Sequence, residues 1–158
     1  MSDDLTLEER ATNYETMQHI ARVQQHLTTF VKELLSRSQQ HDQSKLRRPE
    51  VEAFTKHTAT LAAMTYGSPE YLAAKEAMAP AIAHHYANNR HHPEHWKAGV
   101  SDMSLVDVVE MFCDWKAASE RHNDGNLRRS IEINAHRFDM SPQIVRIFEN
   151  TVDLLEPS

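Results

Sequence analysis

Three features predict an all-α fold. Turn residues are scarce, apolar residues recur at spacings of three and four, and no stretch alternates with the period of two expected of a strand. Three glycines and six prolines in 158 residues are too few for the tight turns of a strand-rich protein. The expected architecture is a single compact helical domain of about six helices. It should cover residues 14–158, behind a polar lead-in at residues 1–13 that holds at most a short helical turn from Thr6 to Ala11.

The elements follow in order. Met17, Ile20, Val23, Leu27, Phe30, Val31, Leu34 and Leu35 trace one face of a first helix from Tyr14, and the polar run Ser36–Gln40 breaks the pattern. Pro49 ends or begins a helix, and Glu50–Tyr66 reads as the second. Gly67-Ser68-Pro69 is a turn, with Ser68 as N-cap of a helix running from Glu70 to about Asn88. Ser104 caps a strong helix from Leu105 to about Arg121, with Asp107 favourably placed in its first turn. After a turn at His122–Gly125 come a helix from Asn126 to Phe138 and a last one restarted by Ser141-Pro142.

Composition narrows the function classes. Hydrophobic residues at 40% and charged residues at 25% describe an ordinary globular chain. The single cysteine, Cys113, excludes an internal disulfide framework, fits a reducing compartment and disfavours a thiolate zinc site; it reads as a small buried hydrophobe. The acidic opening Met1-Ser2-Asp3-Asp4 lacks the basic-then-apolar pattern of a signal peptide, and no apolar run reaches membrane-spanning length, so a cytoplasmic protein without a membrane partner is expected. A net charge of −6 argues against nucleic acid as partner. Homo-oligomerisation is left open.

The compositional oddity is histidine, eleven in all, of which five fall in the thirteen residues His84-His85-Tyr86-Ala87-Asn88-Asn89-Arg90-His91-His92-Pro93-Glu94-His95-Trp96. A core cannot hold that density of imidazole unpaired, and neutral imidazole is the commonest protein ligand of transition metals. His41-Asp42 is a second feature, since adjacent imidazole and carboxylate can reach one divalent ion. Lys45, three residues on, could offer a point charge to a phosphate oxygen. Asp107, Glu110 and Asp114 share a helix face; the first two read equally as solvated, whereas bulky Met111, Phe112, Cys113 and Trp115 surround Asp114, a costly setting for an unpaired carboxylate. Asn126, Ser130, Asn134 and Arg137 lie at helical spacing and suit a pocket wall, a bond to the histidine stretch or a solvated face.

The order of these motifs resembles that of the HD superfamily of metal-dependent phosphohydrolases: His19-Ile20-Ala21-Arg22-Val23, then His41-Asp42-Gln43-Ser44-Lys45, then His84-His85, then Asp114 within Met111-Phe112-Cys113-Asp114-Trp115-Lys116. The chain is more closely similar to a small uncharacterised family of bacteria and their viruses that shares the strings HDxSKL, HHYxxNRHHPEH and EMFCDWKAASER. The resemblance implies an HD-domain-like helical fold. His19, His41, Asp42 and Asp114 would bind a metal, and His85 and His92 would leave room for a second, the ions being Mn, Fe, Co, Ni or Zn. Spacing alone does not separate the pairs 84/91 and 85/92. Nor does it settle the first ligand: a continuous helix would hold His19 roughly 33 Å from His41, so either the helix breaks near Thr28-Thr29, or His26 serves, or neither does.

The implied chemistry is metal-assisted hydrolysis of a phosphate ester or anhydride, with a nucleotide as the substrate class. Asp42, or a nearby histidine or glutamate such as Glu94, would take a proton, and Lys45 and Arg90 would stabilise the phosphoryl charge. Lys45, His84, Asn89, Arg90, His91 and Arg137 would meet substrate. Two alternatives are a dinuclear-iron oxygenase of the HD type, which holds four histidines and two aspartates, and a non-catalytic nucleotide- or metal-binding module.

Overall fold

A computed structural model of the chain describes residues 5–62, 69, 73, 76–121 and 125–155, with the backbone alone for residues 57–62. Six α-helices lie among the described residues: α1 Leu7–Gln40, α2 Glu50–Ala62, α3 Ala79–Asn88, α4 Leu105–Ser119, α5 Leu127–Arg137 and α6 Pro142–Leu155. Three 3-10 turns, Gln43–Leu46, Pro93–His95 and Gly99–Asp102, connect them. No strand occurs among the described residues, so the all-α expectation holds. The predicted turn at Gly67-Ser68 and most of that at His122–Gly125 lie outside the described residues.

The chain divides into two units, Met1–Gln39 and Gln40–Ser158. The first is essentially α1. This helix starts within the expected lead-in, where Thr6 and Glu9 form reciprocal bonds: Thr6 N–H donates to Glu9 Oε2 (2.7 Å) and Glu9 N–H to Thr6 Oγ1 (3.2 Å). It runs unbroken through Thr28 and Thr29, whose hydroxyls donate to the carbonyls of Gln24 and Gln25. It also continues to Gln40, past the polar run expected to end it. No residue of α1 is buried.

The second unit holds the apolar core. Val108, Met111, Phe112 and Trp115 of α4 pack with Leu127 and Ile131 of α5, Met140, and Phe148 and Val152 of α6. The rings of Phe112 and Phe148 are 5.1 Å apart, and Trp115 meets Phe148 edge-on. Local sequence fixes each helix start. Ser104 accepts from Asp107 N–H while Asp107 accepts from Ser104 N–H, closing the box that the sequence suggested. Asn126 accepts from Arg129 N–H, and Ser141 precedes the Pro142 that opens α6. Helices α2 and α3 pack on each other and hold the 3-10 turn that follows His41-Asp42.

Cys113 is exposed, not a core residue: one helical position from Phe112 is enough to turn it off the packed face of α4. Asp107 corrects the opposite expectation of a solvated acid. It is fully buried and accepts from Arg90 through both carboxylate oxygens at 3.2 Å.

Neighbouring isoleucines on α5 test where the core lies. Ile131 is 1% exposed and Ile133 57%. Ile131→Ala should destabilise the protein by about 3 kcal/mol and Ile133→Ala by under ~0.5 kcal/mol in urea unfolding. Equal losses would show the packed face to be misplaced.

Candidate metal centre

Four histidines and two aspartates converge within the second unit. Their ligand atoms form two overlapping groups of four, each within 4.8 Å: Asp42, His85, His91 and His92, and His41, Asp42, His91 and Asp114. Local backbone explains how a few short segments supply so many groups. His41 and Asp42 directly follow α1, and Asp42 has φ 56° and ψ 14°, a left-handed conformation that ends the helix and opens the 3-10 turn. Side chains that would diverge along a continuing helix are thereby turned to one centre. Helix α3 delivers His85 in its last turn and stops at Asn88; Asn89 is extended. The chain then folds back through a turn closed by His92 N–H to the Asn89 carbonyl and by the 3-10 turn at Pro93, so His85 and His92 meet across a loop. Asp114 and Glu110 come from the polar face of α4.

Two carboxylates outside the cluster aim its imidazoles. Glu50, fully buried, accepts from His85 Nδ1 at 2.8 Å, His84 Nδ1 at 2.7 Å and Ser44 Oγ at 3.0 Å. Glu110 Oε1 lies 3.0 Å from His41 Nδ1 and 3.1 Å from His91 Nδ1. The Nδ1 atoms of His41 and His85 are hydrogen-bonded to these carboxylates, and the Nε2 atoms lie inward: His85 Nε2 is 3.3 Å from Asp42 Oδ1, His91 Nε2 is 3.6 Å from the same oxygen, and His41 Nε2 is 3.5 Å from Asp42 Oδ2 and 3.6 Å from Asp114 Oδ1. His85 Nε2 and His92 Nε2 are 2.9 Å apart. Asn89 is buried and braces the arrangement, donating to Ser44 Oγ and to the His85 carbonyl, each at 2.8 Å. A carboxylate on the far nitrogen of a ligating imidazole fixes its tautomer and raises its basicity.

The charges are those of a cation site. Burial raises the affinity of Asp42 and Asp114 for protons, yet Lys45 beside Asp42 and His41 beside Asp114 outweigh it and hold both below the usual carboxylate range. Asp114 and then Glu110 raise His41 to about 10, so at neutral pH without metal it is an imidazolium among carboxylates. Burial, followed by its histidine neighbours, pushes His92 down to about 3, and burial also lowers His85 despite Glu50, leaving both neutral with lone pairs to offer. Asp42 Oδ1 and both ring nitrogens of His91 are buried with no hydrogen-bond partner. Polar atoms in that position are costly, and a divalent ion held by Asp42 Oδ1 and His91 Nε2 would remove part of that cost. Imidazole with carboxylate suits Mn, Fe, Co, Ni or Zn.

The sequence pattern of a family of unknown function, DUF5662, matches residues 8–154. The chain belongs to this family. No curated protein and no solved structure matches it. The DUF5662 match thus covers α1, the His41-Asp42 turn, the histidine stretch and the acidic face of α4 together, and ascribes no chemistry to them.

Of the residues that the sequence proposed as metal ligands, His41, Asp42, His85, His92 and Asp114 are brought together. His19 is not. It sits on the exposed surface of α1, and the break near Thr28-Thr29 on which it depended is absent; His26 is likewise exposed and outside both groups. His91, expected to meet substrate, is 1% exposed and belongs to both groups. Among the other proposed substrate residues, Asn89 is a buried brace, Arg90 is tied to Asp107 and lies over Trp96 at 4.4 Å, and Arg137 pairs with Glu94 at 2.6 Å. That last contact is a bond to the histidine stretch, one of the roles foreseen for the Asn126–Arg137 face, and it engages the carboxylate expected to take a proton. Lys45 is half-exposed and bonded to Asp42 at 2.6 Å. Glu50 was missed altogether. It reads as an ordinary first-turn acid of α2; the signal for it is the excess of imidazoles over the carboxylates next to them in the histidine stretch.

Two outcomes follow. Glu50→Gln and Glu110→Gln should each weaken metal binding roughly 10–100-fold with little loss of helicity, measured by competition with a chelating dye; unchanged affinity would remove their aiming role. His41 has a folded-state pKa above its ordinary value, so its contribution to metal-free stability is complete below about pH 6.5 and fades as pH rises towards 10. Metal uptake must expel that proton. Calorimetry in buffers of different ionisation enthalpy should record about one proton released per ion near neutral pH.

Proposed function

We propose that the chain is a metal-dependent phosphohydrolase, holding one or two divalent ions in the His/Asp cluster and acting on a phosphate ester or anhydride of the nucleotide class. The observation that carries the metal part is the convergence of inward Nε2 atoms and carboxylate oxygens, aimed from behind by Glu50 and Glu110. The hydrolytic part rests on the order of motifs shared with the HD superfamily and on what the cluster's surroundings offer. The ions would supply Lewis-acid polarisation of the phosphoryl group and a water of lowered pKa.

The chain's own residues supply the rest. Asp42 is the one carboxylate common to both groups of ligand atoms, and its two oxygens face different histidines, so it can span two ions. Lys45 Nζ bonds Asp42 in the metal-free protein; with Asp42 committed to a cation, the half-exposed ammonium is free to swing to a phosphoryl oxygen. His84 takes the proton-transfer role that the sequence gave to Glu94. Its Nδ1 is fixed on the buried Glu50 at 2.7 Å while its side chain stays 42% exposed, an imidazole oriented by a carboxylate and open to substrate. Arg90 is removed from the phosphate-binding set, because its guanidinium neutralises Asp107 under the first turn of α4.

A second reading has one specific observation in its favour. Four imidazoles and two carboxylates are the donor count of the HD-type dinuclear-iron oxygenases, and neutral His85 and His92 with anionic Asp42 and Asp114 suit Fe as well as Mn or Zn.

His41→Ala combined with Asp42→Ala should abolish metal retention, measured by elemental analysis, while far-UV circular dichroism stays close to that of the parent. Full retention of metal would count decisively against the site. Protein loaded in turn with Mn, Co, Zn and Fe and assayed against nucleoside monophosphates and an aryl phosphate should release phosphate, with Lys45→Ala slowing it by roughly 10–100-fold. An oxygen-dependent absorbance change after anaerobic iron loading, without phosphate release, would decide for the oxygenase. Tight nucleotide binding with neither signal would make the protein a binding module.

A further inference from the structure

Helix α1 is the largest element that the proposed function leaves unused. It is 34 residues long, about 51 Å at 1.5 Å per residue, and none of its residues is buried. Its apolar side chains nevertheless form a stripe. Met17, Ile20, Val23, Leu27, Val31 and Leu35 recur at three and four and are 40–65% exposed, while Phe30 and Leu34 are half-buried. Most helical stability in proteins comes from packing such a face, and a stripe of this length is well beyond the scattered apolar residues of an ordinary surface.

The charges on α1 say what covers it. The first part of the helix carries Glu8, Glu9 and Glu15 against Arg10, whereas the part beyond Ile20 carries Arg22, Lys32 and Arg37 against Glu33. One end is therefore acidic and the other basic. A second copy laid antiparallel places acidic end on basic end at both extremities and opposes the two helix dipoles. A parallel pair would stack like on like. The stripe also fits that symmetry: an antiparallel two-fold at its middle, near residue 26, sets Met17 and Ile20 of one copy beside Leu35 and Val31 of the other. A lipid surface is a poorer match, because surface-seeking helices carry a strongly basic polar face and half of this one is acidic.

We propose that the protein is a homodimer joined by antiparallel pairing of α1 through the Met17–Leu35 stripe. The pairing is independent of the metal centre, whose ligands all lie beyond Gln40. Light scattering on the 158-residue chain should give twice the chain mass at micromolar concentration. Ile20→Glu with Leu27→Glu should give a monomer that still binds Mn with parental affinity and keeps its helical circular dichroism. A monomeric parent, or a double variant that remains dimeric, would overturn the proposal. Orientation is read in a Cys113→Ser background: oxidised Gln24→Cys should cross-link the two copies near the two-fold, and Asn13→Cys should not. Cross-linking through position 13 would refute the antiparallel arrangement. If the Glu variant proves unstable, Ile20→Gln with Leu27→Gln should raise the dimer dissociation constant at least 100-fold, and an unchanged constant would equally refute it.

Discussion

The candidate site depends on two carboxylates set behind its imidazoles: Glu50, fully buried, behind His84 and His85, and Glu110, largely withdrawn from water, behind His41. An ionised carboxylate withdrawn from water is tolerated only when its lone pairs are met by strong donors. Glu50 has no exposed surface, and three donors meet it: His84, His85 and Ser44. Burial drives its affinity for a proton upward, and those donors outweigh it and keep it ionised. Once both anions are fixed, the orientation of the rings is no longer free. His41 and His85, from two segments far apart in sequence, turn their second nitrogens to a common interior, where Asp42, Asp114, His91 and His92 meet them.

That arrangement also gathers negative charge at the centre. The interior is anionic until something positive enters, and two of its own groups serve: the His41 imidazolium and the Lys45 ammonium, both on Asp42. They are also the groups best able to leave. His41 can surrender a proton and remain as a neutral ligand, and Lys45, half-exposed, can move off Asp42 altogether. His85 and His92 are already neutral. A divalent ion entering the cluster would take the place of this internal positive charge, and occupancy would then depend on pH through His41.

How much of this the sequence disclosed differs from residue to residue, for physical reasons. The helices were legible because their apolar periodicity and their caps at Ser104, Asn126 and Ser141-Pro142 are local properties. His41, Asp42, His85, His92 and Asp114, which come together in the structure, are the residues that the HD resemblance implies; spacing alone leaves 85/92 and 84/91 equivalent. His91 was taken for a substrate residue because spacing cannot show whether α3 persists past Asn88; it stops, and a turn at Asn89 brings in His91 and His92 together. His19 was misleading because a pattern of residue types does not report that α1 continues through Thr28-Thr29. Glu50 and Glu110 were illegible as site residues, since nothing local distinguishes a buried acid from a solvated one on a helix. Only the count of imidazoles in need of an anion could have pointed to them.

Helix α4 shows how one segment serves both parts of the second unit. Its Val108, Met111, Phe112 and Trp115 close the apolar core against α5 and α6. Its Asp107, Glu110 and Asp114, at spacings of three and four on another face, anchor Arg90, aim His41, and face the candidate metal centre. The two faces need each other. Dense packing around Phe112 and Trp115 leaves α4 little room to rotate or slide, and that rigidity holds Glu110 within about 3 Å of two rings at once. A shift of one residue in α4 would turn both sets about 100°, burying charge in the core and emptying the carboxylates from the centre. The same register therefore sets the stability of the core and the geometry of the site, and changes on either face will be felt on the other.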